Sequence, residues 1–113
     1  MPFNLKETID ILSRTPAVLM NMLKDLPDSW LRNNEGDGTW SPYDIIGHLI
    51  HGEKTDWVVR VKIILGDSAN KTFEPFDRFA QEQEDTSRSI EVLLSEFREL
   101  REKNLAELES LQI

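Results

Sequence analysis

Hydrophobic positions recur at helical spacing through three stretches of the chain. In the first, Leu5, Ile9, Leu12, Pro16, Leu19, Leu23 and Leu26 alternate steps of four and three. That spacing places them on one stripe of a bundle helix. It predicts a helix from residue 5 to about residue 26, with Asn4 as N-cap. Pro16 lies inside the pattern and removes one backbone hydrogen bond, so a kink or a split near Thr15 is expected.

The second stretch opens on a helix-start signal at Thr39-Trp40-Ser41-Pro42. Ser41 is placed as N-cap and Pro42 at N1, where its missing N–H costs nothing. Asp44 at N3 completes a capping-box pattern, and Trp40 and Ile45 occupy the positions of a hydrophobic staple. The helix is expected to run to about Leu65 and stop at Gly66. At ~100° per residue, Ile45, Ile46, Leu49, Ile50, Trp57, Val61 and Ile64 cover one wide arc. Glu53 falls near the middle of that arc, and a carboxylate there must be paired, protonated or bound. Its candidate partners are His48, an arginine such as Arg60, or a backbone donor of a neighbouring helix. His48 lies beyond one edge of the arc, His51 further round, and Asp56 just inside the edge.

A third periodic stretch starts near Ser87 or Ser89 and runs to about Leu111. Its apolar face is Ile90, Leu93, Leu94, Phe97, Leu100, Leu105, Leu108 and Leu111. Glu91, Glu96, Arg98, Glu99, Arg101, Glu102 and Lys103 form its charged surface. Between the helices, residues 27–38 are rich in turn formers, and Trp30 and Leu31 are expected to fold back and plug one end of the bundle. Phe73, Phe76 and Phe79 suggest a strapped-down segment within 66–86, and Gln81 to Asp85 form an acidic run. Nothing alternates like a strand. The fold expected is all-α, three long helices in up-down order, over one domain of residues 1–113.

Charge and composition narrow the function. The net charge of −8 leaves no basic patch for nucleic acid or an anionic membrane surface. With no cysteine, disulfides, thiolate metal sites and cysteine nucleophiles are excluded. No apolar run approaches the roughly 20 residues of a membrane span, and the N-terminus lacks the order of a signal peptide. A cytoplasmic protein is expected.

Trp40, Ser41, Ile45, Ile46, His48, Leu49, Glu53 and Trp57, in that order, resemble the DinB/YfiT-like superfamily in its DinB-2 type. The segments TPAVLMNMLKDLPDSWL, FEPFDR and EFRELREKNLAEL extend the likeness along the chain. The resemblance implies a four-helix bundle with a divalent metal at one end of its interior. It implies that His48 is the first metal ligand and that a His-x-x-x-His pair on the fourth helix supplies the others. Relatives transfer thiols, act as hydrolases, or are stress-induced proteins of unknown activity. This sequence contains no His-x-x-x-His and reaches Ile113 where the third helix is expected to end. The expectation is therefore a non-catalytic, self-associating bundle with no metal in one chain alone. It would form a homodimer in which each copy covers the face left by the missing helix. The alternative is a Zn- or Ni-dependent enzyme, of thiol-transferase or hydrolase type, whose site is shared between chains or completed by a fourth helix. No substrate is indicated.

Overall fold

The computed structural model describes residues 4–36, 38–66 and 87–111. Among them the elements are five helices and no strand: α1 (Leu5–Leu23), α2 (Asp28–Leu31), α3 (Pro42–Thr55), α4 (Trp57–Leu65) and α5 (Ile90–Ser110). The long helix α5 packs against both α1 and α3. The all-α bundle expected from the spacing is present. The expected strapped-down segment around Phe73, Phe76 and Phe79 and the acidic run that follows lie outside the described residues.

Helix starts follow the sequence signals. Asn4 caps α1 by accepting the Glu7 N–H at 3.0 Å. Ser89 caps α5 by accepting from Val92. At α3 the capping box is complete: Asp44 N–H donates to Ser41 Oγ at 3.2 Å and Ser41 N–H to Asp44 Oδ2 at 3.0 Å. The Trp40 ring lies 4.9 Å from that of His48, midway along this helix, while Ile45, its expected staple partner, is 45% exposed.

Three expectations need correction. First, α1 passes through Pro16 as one helix and ends at Leu23, not near 26. Asp25 beyond it has φ 64°, a left-handed conformation that carries the chain out of the helix. Second, the connection contains the short helix α2, and only half of the expected plug is realised. Leu31 is buried in the core, whereas Trp30 is 70% exposed. Adjacent residues of one helical turn point about 100° apart, and the four-residue α2 turns Leu31 inward and Trp30 outward. Third, the helix from Pro42 does not reach Leu65 unbroken. It breaks at Asp56 (φ −112°, ψ −85°), and α4 follows. There the Glu53 carbonyl, the ladder acceptor for residue 57 in an unbroken helix, receives Asn104 Nδ2 at 2.7 Å. A side chain inserted into the ladder is an ordinary cause of a sharp bend.

The main core joins Leu31, Tyr43, Ile46 and Ile50 to Ile90, Leu93, Leu94 and Phe97 of α5. Leu19, Met20 and Leu23 of α1 and Leu49 of α3 pack against it, partly buried. Polar contacts fix the entry of α5. Tyr43 OH donates to the Arg88 carbonyl at 2.7 Å, and Arg32 Nη2 donates to it at 3.3 Å. The Arg32 guanidinium lies 4.0 Å over the Tyr43 ring.

Candidate functional site

Further along the bundle the interior becomes polar. Glu53 of α3 is 5% exposed and Arg101 of α5 is 9% exposed, with Asn104 buried one turn on. Burying a carboxylate and a guanidinium is tolerable only when both are paired and hydrogen-bonded, and here they are. Arg101 Nε donates to Glu53 Oε1 at 2.9 Å and Nη2 to Oε2 at 3.3 Å, a forked pair. Asn104 Nδ2 also reaches Oε1 at 3.4 Å, and Trp57 Nε1 donates to Oε2 at 2.6 Å. Each carboxylate oxygen thus meets two donors, which fills its ordinary accepting capacity.

The same arginine also reaches α1. Arg101 Nη1 donates to the Leu12 carbonyl at 2.9 Å. Leu12 lies four residues before Pro16, and proline has no N–H with which to close that step of the ladder. The carbonyl that Pro16 leaves open is therefore filled by Arg101. The guanidinium also stands 5.0 Å over the Phe97 ring. In this way α5 supplies donors to two interruptions, one at Leu12 in α1 and one at Glu53 in α3. Both helices are tied to α5 by polar groups as well as by apolar packing.

The residues singled out in the sequence do not converge. Glu53 is buried and has an arginine partner, but that partner is Arg101; Arg60 pairs with Asp56 at 2.7 Å on its own turn. His48 lies against Trp40, and His51 Nε2 is 3.4 Å from Thr55 Oγ1. Among the described residues no three His, Cys, Asp or Glu side chains stand close enough to hold a metal ion. A catalytic zinc site takes three protein ligands. With both oxygens of Glu53 engaged and Asp56 held by Arg60, the residues described in one chain do not fit a metal.

Arg101 and Asn104 were missed because Arg101 belongs by residue type to the charged face of its helix. The signal was present in the spacing. Leu94, Phe97, Arg101, Leu105 and Leu108 succeed one another in steps of three and four, which centres Arg101 on the apolar arc. The role of Leu12 could not be read from its side chain, because its carbonyl acts.

A second charged group ties the start of α5 to the end of α3. Glu96 receives Lys54 Nζ at 2.9 Å and also pairs with Arg88. Partial burial pushes its carboxyl up, but the hydrogen bonds and charges of Lys54 and Arg88 outweigh that and hold it below the usual carboxylate range.

A groove of about 290 Å³ between α1 and α5 is lined by Ser13, Pro16, Ala17, Met20, Asn21, Arg98 and Glu102. Glu53, Arg101 and Asn104 do not line it. No described helix is long and apolar enough to cross a membrane.

Comparison with known proteins identifies the fold and the family. No functionally curated protein matches the chain. Among solved structures it is similar to YfiT from Bacillus subtilis, a probable metal-dependent hydrolase with an unusual four-helix bundle topology. The TM-score is 0.76 at 21% identity, covering 96% of this chain and 62% of that one. At that identity the likeness establishes the fold, and the chain spans under two thirds of YfiT. The sequence pattern of the DinB superfamily matches residues 11–113, so the chain belongs to the DinB superfamily.

Proposed function

We propose that this chain is a non-catalytic, self-associating bundle of the DinB type, acting in the cytoplasm. One observation carries the reading. Glu53, the carboxylate best placed for chemistry in the interior, has both oxygens committed to Arg101, Trp57 and Asn104. A carboxylate so engaged joins helices; to bind a cation or accept a substrate proton it would have to give up internal donors. The exposed apolar residues of α1, Ile11, Val18 and Met22, support association, since contiguous apolar patches on soluble proteins usually mark contact surfaces. The homodimer expected from the sequence fits that exposure.

The test combines metal analysis with sedimentation equilibrium. Purified protein should carry no tightly held transition metal, gain no melting temperature on addition of Zn or Ni, and sediment as a dimer at micromolar concentration. About one bound metal per chain or per dimer would overturn the non-catalytic reading.

A second reading is a Zn- or Ni-dependent enzyme of hydrolase or thiol-transferase type. Similarity to YfiT favours it, and so does the family position of His48, midway along α3 and against Trp40. The other ligands would then come from a second copy or from a further helix. His48→Ala removing bound metal without unfolding the chain would support this reading.

A further inference from the structure

α4 continues α3 along the chain but is held far more lightly. Of its nine residues only Val58 is buried, and Val59, Ile64 and Leu65 are exposed. Among the described residues α5 packs extensively against α3 and little against α4. The pair from Lys62 to Glu107 of α5 runs at the surface, where ion pairs contribute little. The joint between the two helices is narrow. Asp56 N–H donates to the Gly52 carbonyl and Arg60 N–H to the Asp56 carbonyl, both at 3.0 Å, so the ladder is regular up to Asp56 and again after it. Asn104 Nδ2 occupies the Glu53 carbonyl in between and keeps the break open. Across this joint α4 sends one group into the polar interior. Trp57 Nε1 donates to Glu53 Oε2 at 2.6 Å, whereas the Arg101 and Asn104 donors to that carboxylate belong to α5.

We propose that α4 is a hinged flap, turning at Asp56 and latched by Trp57, whose opening uncovers the Glu53 carboxylate while the rest of the bundle stays folded. Opening gives up the Trp57 bond, the packing of Val58 and the surface pair to Glu107. It leaves Arg101 and Asn104 in place, so the carboxylate is not stranded without a charge partner. The main core, built from α2, α3 and α5, contains no residue of α4. A segment with few buried apolar contacts is the kind that opens below the free energy of global unfolding. The coupling runs both ways. A hydrogen-bond donor that replaces the indole at Oε2 favours the open flap, and an open flap frees Oε2 for such a donor. Of the groups that fill the carboxylate, the indole is thus the one that leaves without disturbing α5.

The test is native-state hydrogen exchange of the full chain, read at single amides, together with carboxyl labelling by a carbodiimide and glycine ethyl ester. In the wild type the amides of residues 61–64 should exchange as a group, faster than that of Phe97 in the main core. Glu53 labelling, scaled to the exposed Glu99, should be protected to the degree of the α4 amides and not to that of Phe97. Two variants separate opening from unfolding. Trp57→Phe removes the latch and should speed both α4 exchange and Glu53 labelling about tenfold, as loss of a hydrogen bond to a charged group requires. Ile46→Val weakens a core that is intact whether the flap is open or closed. It should speed exchange at Phe97 about fivefold and leave residues 61–64 and Glu53 unchanged. If Ile46→Val accelerates all of them alike, α4 opens only with the core and the flap is overturned. Exchange that falls off stepwise from Leu65 toward Val61, with Glu53 as protected as Phe97, reduces α4 to a fraying end and overturns it as well. So does α4 exchange that is indifferent to Trp57→Phe.

Discussion

α1 and α3 both lean on α5, yet they are held in different ways. α3, 14 residues long, buries Tyr43, Ile46, Ile50 and Glu53; α1, with 19 residues, buries only Pro16. The remaining members of the α1 stripe are half covered, and its firmest described tie to α5 is the Arg101 bond to the Leu12 carbonyl. Regular apolar spacing fixes which face a helix turns inward. How completely that face is covered depends on its neighbours, and here the neighbours favour α3.

The comparison breaks most sharply at Arg101, which serves both sides. Arg101→Met should cost about 3–5 kcal/mol, because it strands the Glu53 carboxylate in the interior and removes the donor to Leu12. Replacing both partners, Glu53→Leu with Arg101→Met, should cost less than the single change. Urea denaturation of the two variants decides it; a double variant weaker than the single one would show that the pair stabilises beyond mutual neutralisation.

Core truncation on the two sides gives the next largest effect. Ile46→Ala in α3 should cost about 3 kcal/mol, within the range for a fully buried aliphatic side chain. Leu19→Ala in α1, only partly buried, should cost roughly 1 kcal/mol, since less apolar area leaves contact. Equal losses in thermal or urea unfolding would erase the distinction between the two contacts.

Ser41→Ala should cost about 1 kcal/mol through loss of one half of the capping box. A change near zero would mean that the start of α3 is held by Tyr43 and the core alone.

The smallest effect is electrostatic. Glu96 titrates below the usual carboxylate range, so its contribution is complete above about pH 4.3. It disappears as acid protonates the folded carboxyl at still lower pH. Lys54→Met should flatten that acid limb of the stability curve. An unchanged limb would leave Arg88 as the operative partner.

Much of the fold could be read from spacing and caps. The alternating steps from Leu5 to Leu23, the Ser41-Pro42-Tyr43-Asp44 start and the Ile90–Leu108 face all become helices where expected. The end of α1, the short helix α2 and the break at Asp56 were not legible. The break follows from Asn104, 51 residues away from Glu53, and no local pattern encodes a donor that arrives from another helix. The site was half legible. Glu53 stood out as a carboxylate on an apolar arc, and its burial and its arginine partner could be anticipated. Which arginine was marked only on α5, where the spacing centres Arg101 on the apolar arc; that it meets Glu53 is set by packing between helices. Pro16 was visible as an interruption, but its consequence depends on what fills the carbonyl it leaves open.

The three tryptophans occupy three different surroundings. Trp30 is largely in water, Trp40 lies against an imidazole ring, and the Trp57 indole N–H is held by the Glu53 carboxylate. Indole emission responds to each of these surroundings, so the molecule carries an intrinsic reporter at α2, at the entry to α3 and at the entry to α4. Local opening can differ from global unfolding in free energy. With Trp30 and Trp40 both replaced by Phe, Trp57 is left as the one indole, and loosening of the α3–α4 junction can be watched separately from melting of the main core, in otherwise unlabelled protein.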